Sequence, residues 1–69
     1  MLPDEINAFL NLQLSQGLTL DTAIDSLMRV MMIQRRMSAV AAAQALLAAR
    51  VKERYDAGEL GSLQRQAHA

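Results

Sequence analysis

Apolar residues recur at spacings of three and four from the start of the chain, and Ile6, Phe9, Leu10 and Leu14 fall on one stripe of a helix. Pro3 suits a first helical position, and Asp4 and Glu5 fill the first turn, where carboxylates meet unpaired backbone N–H groups. Gly17 supplies a left-handed stop, with Leu18 placed to fold back on Leu12 or Gln13. The pattern predicts a first helix over about residues 3–16. Thr19 is an N-cap with Asp21 in the turn that follows, and neither Gly nor Pro occurs from Leu20 to Ala57. A second helix is therefore expected over about residues 20–57, roughly 57 Å long at 1.5 Å per residue. Ser38 is the one candidate for a break, because Ser can cap a new helix, but continuity is expected. Residues 58–69 read as a flexible tail and residues 1–57 as a single helical domain.

Two apolar stripes run along the expected long helix. Leu20, Ile24, Leu27 and Met31 form the first, which the short helix folds back to cover. From residue 30 a second stripe dominates: Val30, Ile33, Met37, Val40, Gln44, Leu47 and Val51, a heptad seam with one polar position. The short helix reaches only to about Ile33, so Met37, Val40, Leu47 and Val51 have no cover from their own chain. An exposed seam of that kind is what soluble monomers avoid, and a second copy is the simplest cover. Ala41, Ala45 and Ala48 flank it and permit close helix approach, and Gln44 can fix register. The expected fold is all-α: a helical hairpin of a short N-terminal helix on a long second one, dimerising into a helical bundle or coiled coil.

Composition limits the chemistry. Sixty-nine residues make one domain with a marginal core, and with aromatics at only 3% that core is aliphatic and alanine-rich. There is no cysteine, hence no disulfide and no thiolate metal site. Residues 37–49, the longest uncharged apolar stretch, are too few for a membrane span, so a cytoplasmic location is expected. Net charge is zero but uneven: residues 1–25 carry four acids and no base, and residues 26–54 carry six bases against Glu53 alone. Acids at a helix start and bases further along are what the helix dipole prefers.

No catalytic constellation is visible. The single histidine, His68, stands one residue from the end, and the three glycines are isolated punctuation, with no phosphate-cradling loop. Asp21 and Asp25 share a helix face with Arg29 and read as dipole and i, i+4 partners. Arg35-Arg36-Met37-Ser38 matches a short basophilic kinase pattern that chance also produces. No enzyme activity, cofactor, metal, membrane or small-molecule substrate is therefore expected.

The expected function is a small non-catalytic protein–protein interaction module, a regulator, adaptor or chaperone-like protein acting as a homodimer. Its oligomer interface is expected at Val30, Ile33, Met37, Val40, Gln44, Leu47 and Val51. Residues 27–33 are apolar nearly all round, so a partner protein is expected at Met28, Met32 and the neighbouring Arg29, Arg35 and Arg36. The alternative is a dimeric nucleic-acid-binding regulator using the basic segment 29–54. The absence of overall basic charge and of interleaved aromatics weighs against it. A third class is a structural subunit of a larger helical assembly.

Overall fold

A computed structural model describes residues 2–60, and among these every regular element is a helix: α1 Pro3–Ser15, α2 Leu20–Ile33, α3 Ala39–Ala48 and α4 Val51–Asp56. Pro3 opens α1 behind Leu2, whose backbone is extended, and Asp4 and Glu5 occupy the first turn as expected. The helix closes in a Schellman motif. The Gly17 N–H donates to Leu14 O at 3.0 Å and the Leu18 N–H to Gln13 O at 3.3 Å, with Gly17 at φ +91°. Thr19 caps α2, its Oγ1 accepting from the Thr22 N–H at 3.2 Å.

The expected single long helix is not formed. It is interrupted twice, and both interruptions use a non-glycine residue in the left-handed region: Arg36 at φ 54° and Arg50 at φ 55°. At the first, the α2 ladder widens before it stops, because the Gln34 and Arg35 N–H groups both donate to Val30 O, at 2.9 and 3.3 Å. Met37 N–H then reaches back to Met31 O at 3.0 Å. Ser38 starts α3 with extended backbone, its Oγ accepting from the Ala41 N–H at 3.1 Å. Ser38, the position singled out for a break, is the cap of a new helix. At the second interruption Ala49 and Arg50 join α3 to α4, which starts at Val51.

The break at residues 34–38 changes what is buried. It lets α3 turn back along α2 and pack on both α1 and α2. Ile6, Leu10 and Leu14 from α1 and Ala23, Leu27 and Met31 from α2 are fully enclosed, each set at a spacing of four. The contribution of α3 is small side chains, Ala42 within the helix and Ala49 just past its end, which bring the backbones close. Phe9, Leu20, Ile24 and Met28 pack half-buried around this core. Two residues expected to lie bare are covered by their own chain: Val51 is buried and Met37 packs against the core. A straight helix would have carried both away from α1.

The end of the chain also differs from expectation. A second Schellman motif closes α4, with the Gly58 N–H on Tyr55 O at 3.1 Å and the Glu59 N–H on Arg54 O at 2.8 Å. It turns Leu60 into the core, where only 1% of it is exposed. The described part of the expected tail, residues 58–60, is thus an anchor. The rest of that tail, with His68, lies outside the described residues.

Candidate interaction surface

The outward side of α3 differs from the rest of the molecule. Its ten residues, AVAAAQALLA, include no charge, and its exposed positions are Ala39, Val40, Ala43, Gln44, Leu47 and Ala48. Val40 is 67% exposed and Leu47 77%, about two helical turns apart on the same stripe. Single exposed aliphatic residues are ordinary, but two on an otherwise uncharged stripe make a patch that water solvates poorly.

Beside this stripe lies an apolar groove of about 390 Å³, walled by Ile24 of α2 and by Ala43, Leu46, Leu47 and Val51, with Arg50, Lys52 and Glu53 at its rim. Ala43 makes the groove possible, since a larger residue there would fill it. A second exposed apolar site stands at the end of α2, where Ile33 is 74% exposed and Met32 is exposed next to it. Ile33 shares a shallow depression of about 200 Å³ with Arg29, Val30 and Gln34.

The seven expected interface residues therefore divide. Ile33, Val40, Gln44 and Leu47 face solvent, Val30 and Met37 are half-buried, and Val51 belongs to the core. They no longer form one continuous seam, because the turn at residues 34–38 separates Val30 and Ile33 on α2 from Val40, Gln44 and Leu47 on α3. Of the expected partner residues, Met28 packs half-buried on the core while Met32 is open.

Three of the six cations among the described residues are paired within the chain. Arg29 Nη2 lies 3.5 Å from Asp25 Oδ2, the i, i+4 pair read from the spacing. Arg35 Nη2 donates to Glu5 Oε2 at 2.9 Å, tying the α2–α3 turn to the first turn of α1 across 30 residues of sequence. Arg50 Nε lies 3.1 Å from Glu53 Oε2. All three pairs are well solvated, so each contributes at most about 1 kcal/mol. Arg36 is exposed and forms no ion pair among the described residues.

A polar cleft of about 350 Å³ lies elsewhere, between α1 and the end of α4, lined by Asn7, Asn11, Arg54, Glu59 and Leu60. Asn7 Oδ1 is buried at its edge without a hydrogen-bond partner. Among the described residues no group of three or more His, Asp or Glu side chains is placed to hold a metal ion. No helix among them is long and apolar enough to cross a membrane.

Ile24, Ala43 and Leu46 were missed as surface-forming residues. Reading the helix as continuous left α3 with no α2 alongside it, so no groove between them could be expected. The signal that was legible is the complete absence of charge from residue 37 to residue 49.

The chain matches no protein-family model, no curated protein and no solved structure. Its own surface carries the functional reading.

Proposed function

We propose that the protein is a non-catalytic protein–protein interaction module, a small regulator or adaptor. In this reading it works as a homodimer and binds a partner protein through the helix faces that its own fold leaves uncovered. The observation that carries the reading is the uncharged outer face of α3, with Val40 and Leu47 on its stripe and an apolar groove beside it. Covering such a face releases the water held over it, at about 25 cal/mol per Å² of apolar surface. The second surface is the end of α2, where Met32 and Ile33 stand exposed and Ile33 shares a depression with Arg29. A flexible apolar side chain flanked by arginine is a composition that protein partners use as an anchor. Regulation or adaptation suits a chain of this size, since two surfaces on one small body let it bridge or mask other proteins.

The alternative as a nucleic-acid-binding regulator draws less support. Arg29, Arg35 and Arg50 are each engaged by a carboxylate of the same chain, which reduces the charge on offer to phosphates.

Affinity capture tests the module reading. Immobilised protein is exposed to extract of its source cell beside an Ile33→Asp variant, and the retained proteins are compared by mass spectrometry. Ile33 contributes little to the core, so the variant should keep its helicity. Partners retained by the native chain and lost from the variant are expected. Identical sets on both would contradict the assignment of the α2 end as a binding surface.

A further inference from the structure

We propose that the α2–α3 turn is a hinge that opens into continuous helix, so that two copies of this chain exchange residues 39–60 and form a swapped dimer. The exchange uses the inner contacts of α3 and is independent of the module reading, which concerns the faces left outside.

The turn is built against its own sequence. Gln34, Arg35, Arg36 and Met37 are all good helix formers, and the joint contains neither Gly nor Pro. At the ends of α1 and α4 the positive φ falls on Gly17 and Gly58, but here it falls on Arg36 at 54°, which an L-residue adopts only at a cost. The backbone groups at the broken helix ends are met one by one. Met31 O accepts from the Met37 N–H at 3.0 Å, and the Ala41 N–H donates to Ser38 Oγ at 3.1 Å. A continuous helix satisfies the same groups with ordinary i to i−4 bonds. Short joints under strain of this kind are where domain swapping arises.

What the open form gives up is regained from the second copy. In the closed chain α3 packs back along α2. Straightening the joint projects residues 39–60 along the α2 axis, and two such chains laid antiparallel place α3 of each beside α2 of the other. Ala42, Ala49, Val51 and Leu60 then close the second copy's α1–α2 hairpin as they close their own. Little opposes the detachment, since Ala42 and Ala49 are single methyl groups and the Arg35–Glu5 pair that latches the turn to α1 is solvated. Of the two left-handed arginines, Arg36 is the hinge, because opening at Arg50 would release α4 and Leu60 alone. Closure within one chain is favoured by an effective concentration in the millimolar range, so the swapped dimer grows with protein concentration.

Sedimentation equilibrium at rising concentration, up to about 1 mM, compares the native chain with Arg36→Gly and Arg36→Val. Gly accepts the turn freely and weakens a helix, whereas Val resists the left-handed region and is tolerated in a helix. Each dimer contains two joints, so the contrast counts twice. Arg36→Val should dimerise at least about 100-fold more tightly than Arg36→Gly, with the native chain between them. Equal dissociation constants, or an Arg36→Val chain that stays at 7.6 kDa throughout, would overturn the hinge. If Arg36→Val loses its helicity, the native chain against Arg36→Gly reads the same contrast, at about 10-fold or more. The chain has no cysteine, so spin labels on Asp25→Cys and Leu47→Cys report the exchange without interference. In a doubly labelled chain diluted into unlabelled chain, the labels stand near the two walls of the groove between Ile24 and Leu47 when α3 is closed, and about 33 Å apart when the helix is straight. The dimer should show the long distance. A dimer that keeps the short one is made of closed chains, which would overturn the exchange and leave the module reading standing.

Discussion

Between Pro3 and Ile33 the chain encloses Ile6, Leu10 and Leu14 against Ala23, Leu27 and Met31, whereas between Ala39 and Asp56 it encloses only Ala42, Ala49 and Val51. The first region buries five large side chains, and each stabilises the fold by roughly 1.5–3 kcal/mol. The second buries mostly methyl groups, holds Leu46 and Tyr55 half-buried against the core, and leaves Val40 and Leu47 outside. The hinges differ in the same sense. The α1–α2 turn is built on Gly17, which takes a positive φ freely, while the α2–α3 and α3–α4 joints force Arg36 and Arg50 into that region. One half of the molecule is held by its interior. The other is a small-residue scaffold that leaves Val40 and Leu47 uncovered.

Substitutions that sharpen this contrast begin with the interiors. Leu27→Ala should lower stability by about 2–5 kcal/mol and leave so small a domain largely unfolded near room temperature. Leu47→Ala, the same chemical change on the exposed face, should cost no more than about 0.5 kcal/mol. Urea denaturation followed by circular dichroism, at a concentration low enough to keep the chain monomeric, measures both. Equal losses would mean that α3 presents its stripe inward.

The hinges come next and should respond with opposite signs. Gly17→Ala should destabilise by about 1–2 kcal/mol through backbone conformation alone, because nothing lies within 4 Å of the added Cβ. Arg36→Gly should instead stabilise, by about 0.5 kcal/mol, as relief of the left-handed conformation outweighs the added freedom of the unfolded chain. The midpoints of thermal unfolding should therefore move apart. A loss of stability from Arg36→Gly would show that its side chain does more than turn the chain.

Between these in size is the α3 cap. Ser38→Ala removes the acceptor of the Ala41 N–H and should cost about 1 kcal/mol. The change should appear first as faster amide exchange in the first turn of α3, with α1 and α2 unaffected.

The same contrast explains how far the sequence could be read. Pro3, Gly17 and Thr19 are punctuation with a mechanism, and the spacings of Ile6, Leu10, Leu14, Leu27 and Met31 repeat a helical face, so α1 and the start of α2 were legible almost to the residue. The turn at residues 34–38 was not, because arginine is a good helix former and nothing local marks Arg36 as left-handed. What selects the turn is tertiary: folding back buries Ala42 and Val51 and packs Met37 against the core, where a straight helix leaves them in water. Ser38 signalled the possibility and no more. Without that turn the seam runs through residues that the fold places on separate helices, although its α3 members, Val40, Gln44 and Leu47, do face solvent. Alanine adds to the ambiguity, since Ala42 buried and Ala43 exposed carry identical side chains in adjacent positions.

The central claim is that the interior of the α1–α2 hairpin holds the fold while the outer face of α3 works as a contact surface. Methyl-detected NMR at increasing protein concentration tests it residue by residue. The Val40, Ala43 and Leu47 methyl resonances should move together along one binding curve, with Leu10, Leu14 and Leu27 stationary. Stationary α3 methyls over the whole range, or shifts centred on Leu12 and Leu2 instead, would contradict it.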